Sequence, residues 1–379
     1  MQSQTCLNSA ERAGLRPKGN VPTLRFSEFT EEWNYTELHE LAPGITSGRD
    51  KPTNGSIALY GSTGLMGMTD KASYTNEIVL VARVGANAGT MQIVNEPCGV
   101  TDNALVVNAG SWNKYIFYYL QKCNLNRLIF GSGQPLITGG MLKKIKIRFG
   151  REAERAKIIK FLILIDERIS TQSRIIEDLK SLSDAICERL YTPSEKESWQ
   201  TYKYADLFSI SIERNSKLQY TNVLSASQEY GMIERNELNI DIKFEASSIK
   251  NYKIVRPNQY VIHLRSFQGG FAYSDKTGVC SPAYTILVPN EKLSTAFLKY
   301  YFTSKKFIDS LRIVTYGIRD GRSISVDEFL QLKVTIPDIA HQQHIVQVMQ
   351  LWEEKIRMEE EYLSKLQQQK KYLLSSMFI

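Results

Sequence analysis

The sequence predicts an α/β (mixed α+β) chain in which two globular domains are each followed by one long α-helix. Three observations support this: an internal repeat, a coiled-coil pattern in both copies, and β-rich blocks ahead of each copy. The 379 residues suffice for two domains at roughly 100–200 residues each. We expect a polar tail at 1–20, globular domains at 21–150 and 193–337, and long helices at 151–192 and 338–379.

The long helices are predicted from the repeat, which aligns residues 145–191 with 332–378 without a gap. Steps of four and three residues from Ile158 and Ile345 meet mainly apolar residues, and both polar breaks fall at equivalent places. This spacing is typical of a coiled-coil seam. Two unrelated amphipathic helices would leave the matched breaks to coincidence. The predicted seam residues are Ile158, Leu162, Ile165, Ile169, Ile176, Leu179, Ile345, Met349, Trp352, Ile356, Leu363 and Leu366.

Charged residues beside the seam are predicted to face outward. The segment FLILIDERIS (161–170) and its counterpart VMQLWEEKIR (348–357) carry apolar, acidic and basic residues in the same order. With the apolar residues in the seam, Asp166, Glu167 and Arg168 are expected to be solvated or to touch a partner protein.

The blocks ahead of the long helices contain strand and helix candidates in the same order. β-type runs bounded by Gly, Asn and Ser predict strands. The strand candidates are 77–84, 103–108 and 144–149 in the first block, and 259–265, 284–288 and 332–336 in the second. An amphipathic helix is predicted in each block, at 111–124 and 293–307.

Composition limits the class of protein. The net charge of +7 and pI of about 8.9 permit a polyanionic partner such as DNA. Five scattered cysteines without a CxxC pair argue against a disulfide framework and favour a reducing, cytoplasmic compartment. We predict no signal peptide and no membrane span.

Catalytic motifs are weak in this chain, and we predict no catalytic or metal-binding residues. Pro337-Asp338 followed by Glu353-x-Lys355 has the spacing of a metal-dependent nuclease, but Glu353 falls on a predicted helix. His341 and His344 lack further zinc ligands nearby. No P-loop, HExxH or GxSxG motif is present.

Loops in both blocks carry side chains suited to nucleic acid. Arg can bind guanine edges, Asn and Gln can bind adenine, and glycines allow close approach to phosphates. The candidate DNA-binding residues are Arg49, Lys51, Ser62, Thr63, Arg83, Asn87, Gln134, Lys217, Arg265, Gln268, Tyr316, Arg319 and Arg322.

The order of these motifs resembles a known family. The segments NVPTLRFSEFTEEW (20–33), YGSTGLMG (60–67), RVGANAGT (83–90), TDNALVV (101–107) and GSGQPLIT (131–138) are similar to the first target recognition domain of type I restriction–modification specificity subunits. The two long helices resemble that family's conserved regions. The resemblance covers about residues 20–379.

The resemblance implies a non-catalytic subunit with two target recognition domains that read a split DNA sequence. The long helices would pair as an antiparallel coiled coil and dock two methyltransferase subunits, and restriction subunits would join them. S-adenosylmethionine, ATP and Mg would then belong to the partners. The sequence departs from the family's Pro and Glu-Gln before each helix, since Gly150, Glu154-Arg155 and His341-Gln342 occupy these positions.

Two other functions remain open from the sequence. The chain could be a restriction endonuclease or methyltransferase acting on its own, in which case magnesium-dependent cleavage should be lost in Glu353→Ala. It could instead be a coiled-coil scaffold that binds only proteins, and exchanging residues 21–150 would then leave the methylated DNA sequence unchanged.

Overall fold

The computed structural model describes residues 19–128, 136–194, 198–227, 230–235, 246–263, 270–311, 315–316 and 323–379. These residues form two compact units. The first contains the described residues up to Ser173 together with Glu361–Ile379, and the second contains those of Arg174–Glu360. Each unit therefore combines one β-rich block with one segment of each long helix.

The first unit begins with nine strands and three short helices. The strands are β1 (Asn34–Glu37), β2 (Thr46–Ser47), β3 (Ile57–Gly61), β4 (Gly64–Thr69), β5 (Ile78–Ala82), β6 (Met91–Val94), β7 (Cys98–Val100), β8 (Ala104–Val107) and β9 (Lys146–Phe149). The helices are α1 (Leu38–Leu41), α2 (Asn113–Cys123) and α3 (Gly139–Lys143), followed by the long α4 (Glu152–Leu190).

An antiparallel sheet of order β2-β8-β5-β6 forms the centre of this unit. Strand β5 is buried along its whole length. Val79 and Val81 belong to the core that includes Ile116 of α2. Ile78 and Leu80 belong to a smaller core shared with the second sheet, of order β4-β3-β7. Burial on both faces explains the unbroken apolar run in the sequence.

The second unit repeats this arrangement with different loops. Its strands are β10 (Gln200–Lys203), β11 (Phe208–Ser211), β12 (Leu224–Ser227), β13 (Gly231–Glu234), β14 (Lys253–Val255), β15 (Gln259–Ile262), β16 (Phe271–Ser274), β17 (Gly278–Cys280), β18 (Thr285–Pro289), β19 (Thr315–Tyr316), β20 (Ser323–Ile324) and β21 (Lys333–Ile336). Its helices are α5 (Phe297–Tyr301), α6 (Lys305–Ser310), α7 (Val326–Gln331) and the long α8 (Ile339–Met377).

The strand order shows the duplication directly. The sheet β11-β18-β15-β16 has the same order of equivalent strands as β2-β8-β5-β6. The pair β10-β21 likewise corresponds to β1-β9. In both units the strand before the long helix therefore pairs with the first strand of its own block.

The helix predicted at 293–307 is wrong in its extent, because this segment forms the two short helices α5 and α6. Ala296 precedes α5 with φ of 62°, which keeps the preceding residues out of the helix. Ser304 then caps α6 by accepting a hydrogen bond from the Phe307 amide at 3.3 Å.

Within the first unit the two long helices run antiparallel. Lys370 Nζ lies 2.6 Å from Asp166 Oδ1, while Arg168, further along α4, contacts Tyr362, which comes earlier on α8. The hydroxyl of Tyr118 also donates to Asp166 Oδ2 at 2.9 Å. The expectation that Asp166 faces outward is therefore wrong, because this half-buried side chain contacts α2 and α8. Glu167 and Arg168 are exposed, as predicted, although Arg168 also contacts Tyr362.

The second unit contains the same antiparallel arrangement. Lys180 Nζ lies 2.7 Å from Glu360 Oε1, and Cys187, further along α4, shares a core with Met349. Across the two units, the predicted seam residues Ile158, Leu162, Ile165, Ile176, Ile345, Met349 and Leu366 are buried, and Ile169, Leu179, Trp352, Ile356 and Leu363 are half-buried.

The start of α4 is fixed by a buried ion pair. Glu154 accepts two hydrogen bonds from the Arg25 guanidinium, at 2.7 and 2.9 Å, and a third from Trp33 Nε1 at 3.1 Å. A Cβ at Gly150 would lie only 1.9 Å from Glu154 Oε2. Glycine therefore stands at position 150 because the folded-back carboxylate leaves no room for a side chain.

The start of α8 is fixed by an amide instead of a charge. The buried Gln342 accepts from the Ser294 amide at 2.8 Å and donates to the carbonyls of Lys292 and Pro337, both at 2.9 Å. Asp338 caps the helix by accepting from the His341 amide at 2.9 Å. The departures noted at the two helix starts are thus two different solutions to anchoring the same helix end.

Candidate nucleic-acid interface

Three predicted contact loops of the first unit meet at one segment, residues 100–104. The amides of Gly48, Asp50 and Arg83 donate to carbonyls of this segment at 3.1, 2.9 and 2.9 Å. The carbonyl of Tyr60 accepts from an amide of the same segment at 2.9 Å. Loops that are far apart in sequence are therefore held side by side by backbone hydrogen bonds.

Asp50 anchors the loop that presents Arg49 and Lys51. Its carboxylate accepts from the hydroxyl of Ser73 at 2.7 Å and from the Val100 amide at 2.8 Å. Arg49 and Lys51 on either side are exposed. The acidic residue is thus used for structure, and the two cations remain at the surface, where they can meet phosphates.

Arg83 has a fixed backbone and an incompletely satisfied side chain. Its carbonyl accepts from the Ile137 amide at 2.8 Å. Nη1 makes only a long contact of 3.4 Å to the Asp102 carbonyl, and the buried Nε has no partner among the described residues. Because a guanidinium has five N–H donors and this one is incompletely bonded within the protein, Arg83 is suited to bind an acceptor on another molecule.

A cavity of about 280 Å³ lies beside these loops. Its lining consists of Ser62, Thr63, Gly64, Leu80, Ala82, Asn87, Thr90, Met91 and Gln92. Three of the predicted residues, Ser62, Thr63 and Asn87, are thus brought together in one wall. No charged side chain lines the cavity, so its hydrogen-bonding groups are all neutral hydroxyls and amides.

The turn that carries Asn87 depends on two glycines. Gly85 and Gly89 have φ of 76° and 88°, a region that disfavours side chains. The Asn87 carbonyl accepts from the amide and the hydroxyl of Thr90, at 3.0 and 2.8 Å. The Asn87 side chain itself is exposed and faces no such constraint.

Thr90 and Gln92 are cavity residues that the sequence did not reveal. Thr90 lies in the recognised RVGANAGT segment, but its hydroxyl gives no periodic signal. Gln92 is the polar residue of a four-residue strand, MQIV, whose other members are apolar. A single amide within an apolar strand was the one available signal for it.

Tyrosines near the loops are uncharged at neutral pH. The hydrogen bond from the Tyr60 hydroxyl to Glu96 raises the pKa of Tyr60 to about 12. Burial raises the pKa of Tyr74. The positive charge of Arg49, Lys51 and Arg83 is therefore not offset by phenolate.

The second unit provides fewer described contacts. Lys217 is exposed in a turn fixed by Asn215, whose side chain donates to the Tyr220 carbonyl at 2.7 Å. Tyr316 ends β19 and pairs with Ser323 of β20. The remaining candidates lie outside the described residues: Gln134 of the first block and Arg265, Gln268, Arg319 and Arg322 of the second.

The structure contradicts a nuclease site built from Asp338 and Glu353. Asp338 caps α8, and Glu353 follows 15 residues later on the same helix, about 22 Å away at 1.5 Å per residue. Glu353 accepts from Lys299 at 2.7 Å and from the Tyr300 hydroxyl at 2.8 Å. Among the described residues, no group of three or more His, Cys, Asp or Glu side chains could hold a metal ion.

Comparison with known proteins agrees with this architecture. The family model described as the type I restriction modification DNA specificity domain matches twice, at residues 15–181 and 196–368. The chain therefore belongs to the family of type I restriction–modification DNA specificity proteins. None of the helices in the described part of the chain is both long and apolar enough to span a membrane.

Individual relatives are distant. The chain is 27% identical over 140 residues to the type I restriction enzyme EcoprrI specificity subunit of Escherichia coli; the match covers 36% of this chain and only 35% of that protein. A type I restriction–modification S subunit from M. genitalium shares the fold, with a TM-score of 0.57, 15% identity and coverage of 95% of this chain and 99% of that one.

A second structure, from work on complex assembly and conformational transition of the type I R-M system, has a TM-score of 0.58. It is 12% identical, and the match covers 93% of this chain and 98% of that chain. These two likenesses extend over nearly the whole of both chains, so the duplicated architecture is shared in full.

Proposed function

We propose that this chain is the non-catalytic specificity subunit of a cytoplasmic type I restriction–modification complex. Two target recognition domains, 21–150 and 193–337, read the two halves of a bipartite DNA sequence. The long helices, 151–192 and 338–379, dock two methyltransferase subunits, and restriction subunits complete the complex. S-adenosylmethionine, ATP and Mg are held by those partners.

The observation that supports DNA reading most directly is the surroundings of Arg83. An under-satisfied guanidinium follows Ala82, a wall residue of a neutral cavity, and shares its supporting segment with the loop of Arg49 and Lys51. Neutral hydroxyls and amides beside exposed cations are suited to base edges beside phosphates.

Single substitutions in the assembled complex test this arrangement. Arg83→Ala should weaken binding to the cognate DNA by about 1–3 kcal/mol and relax one base position if the guanidinium contacts a base. Lys51→Ala should weaken binding to all DNA sequences alike, and it should reduce the slope of log K against log salt concentration by about one. Arg151→Ala is the matched control, because Arg151 is exposed in the same unit but pairs with Glu31 at 2.7 Å.

Exchange of the whole block tests the assignment of the domain. Replacing residues 21–150 with a homologous block should change one half of the adenine-methylated motif in cells and leave the other half and the spacer unchanged. A motif that stays the same would refute the assignment of this block as a reader. It would instead favour a scaffold that binds only proteins.

Docking of two methyltransferase subunits is supported by repeat-equivalent apolar residues. Leu164 and Leu351 occupy the same position of the repeat and are 53% and 68% exposed. An exposed leucine at the same place in each copy is suited to two identical contacts. Leu164→Glu or Leu351→Glu should each reduce the bound methyltransferase from two copies to one, measured by mass photometry, whereas Leu182→Glu serves as the control for an exposed leucine without a leucine counterpart.

A further inference from the structure

The geometry points to Gln92 as a specificity-determining residue that accepts a hydrogen bond from the exocyclic amino group of one DNA base, adenine or cytosine. This inference rests on the proposed function and assigns a chemistry to the neutral cavity of the first unit. It is argued from the orientation of one amide, from the charge of the cavity, and from the equivalent position in the second unit.

The orientation of the Gln92 amide is set by its partner. Its nitrogen lies 3.0 Å from the carbonyl oxygen of Gly61, at the end of β3. Because a carbonyl oxygen can only accept, the nitrogen must face Gly61 and the amide oxygen must point elsewhere. The Gln92 oxygen lies on the side of Gly64, where a Cβ built on that glycine would be 3.8 Å away. A Cβ at this distance would be in ordinary van der Waals contact, so the oxygen faces the turn that carries Gly64.

The chemistry of the cavity favours a base over a phosphate. The walls carry hydroxyls and amides from Ser62, Thr63, Asn87 and Thr90 and no cation. A phosphate is normally bound by Lys, Arg or a cluster of backbone amides. In the major groove only adenine and cytosine present an amino group as a donor. A fixed amide oxygen at the wall is therefore complementary to one of these two bases.

The second unit lacks this acceptor at the equivalent place. In the first unit Gln92 pairs with Leu80 across β6 and β5. In the second unit Ala272 pairs with Val261 across the corresponding strands β16 and β15. A side chain without polar atoms cannot read an amino group, so the two units differ in specificity at this register.

The test uses the full chain assembled with its methyltransferase. Adenine-methylated motifs are mapped in cells carrying the parent, Gln92→Met or Gln259→Met. Gln259 is a control in β15 of the second unit, because its side-chain amide also bonds to the backbone, but with its oxygen, which accepts from the Arg256 amide at 2.8 Å. We expect Gln92→Met to relax one adenine or cytosine of one half-site to all four bases, with all other positions unchanged. The control should keep the parental motif.

A second measurement does not depend on folding of the variant. Each adenine or cytosine of that half-site is replaced, one at a time, by an analogue that lacks the exocyclic amino group, and binding of the parent complex is measured. One replacement should weaken binding about tenfold. Unchanged binding at every position, or an unchanged motif for an assembled Gln92→Met complex, would overturn the inference. Gln92 would then have only a structural role, joining two sheets through its hydrogen bond to Gly61.

The result also separates this inference from the proposed function. If Arg83→Ala and the block exchange alter DNA recognition while Gln92→Met does not, only the role of Gln92 is wrong. If the block exchange leaves both half-sites unchanged, the proposed function itself is refuted.

Discussion

Glu154→Gln is expected to destabilise the first unit by about 3 kcal/mol. The side chains of Glu154 and Arg25 are only 1% and 10% exposed, and the carboxylate receives three hydrogen bonds. The substitution keeps the shape but removes the charge, so the Arg25 guanidinium stays buried without its counter-ion. Breaking a buried pair on one side costs about 3–5 kcal/mol, and the retained amide oxygen places the expected cost at the lower end.

The assay is thermal and urea unfolding of the purified chain, in which the unfolding transition of the first unit is monitored. About 3 kcal/mol corresponds to a decrease in Tm of roughly 6–12 °C for a unit of this size. The control is Glu31→Gln, which makes the same change in an exposed pair, since the side chains of Arg151 and Glu31 are 71% and 43% exposed. That variant should be unchanged within error, because solvent screens an exposed pair.

A double substitution sharpens the argument. Arg25→Met combined with Glu154→Leu removes both charges, so it should cost less than Glu154→Gln alone. The reasoning is refuted if Glu154→Gln lowers stability no more than Glu31→Gln does. It is also refuted if the double variant is as unstable as the sum of its two single variants, because the charges would then act independently.

Three further predictions concern Gly150, Gln342 and two buried cysteines. Gly150→Ala should cost about 1–3 kcal/mol in urea unfolding, because its Cβ would displace the Glu154 carboxylate. Gln342→Leu should cost about 3 kcal/mol by the same assay, since the backbone groups of Lys292, Ser294 and Pro337 lose their hydrogen-bond partner. Burial raises the pKa of Cys98 to about 11 and of Cys280 to about 12, from an ordinary value of 9. The folded state therefore keeps these thiols protonated. Their contribution to the free energy of unfolding should be full below pH 9 and lost as pH rises through 11–12. Urea unfolding of Cys280→Ala at a series of pH values should show a smaller loss of stability over this range.

The long helices and six of the strands (β5, β8, β9, β15, β18 and β21) could be predicted because their signals are local. The 3,4 spacing from Ile158 and from Ile345 led directly to α4 and α8. The apolar run at 78–82 led to β5, because a strand buried on both faces needs no polar residue. The helix at 293–307 was predicted as one element because neither the positive φ of Ala296 nor the cap formed by Ser304 leaves a periodic trace.

The candidate site was predictable in its parts but not in its assembly. Ser62, Thr63 and Asn87 could be chosen by residue type, yet only the structure shows that they line one cavity. Gln92 was missed because its role depends on a 3.0 Å contact to Gly61, 31 residues earlier. Asp166 was predicted to face outward because its partners, Tyr118 and Lys370, are distant in the sequence.

The anchoring of α4 in the first unit limits how recognition blocks can be interchanged. Arg25, Trp33 and Tyr118 lie within 21–150, whereas their partners Glu154 and Asp166 lie on the helix that stays behind in a chimera. A donor block must therefore bring an arginine, an indole and a phenol to these places, whatever bases it reads. The residues that line the cavity take no part in these contacts with α4. An exchanged block can thus bring a new DNA specificity as long as these three side chains remain compatible with α4 of the recipient chain.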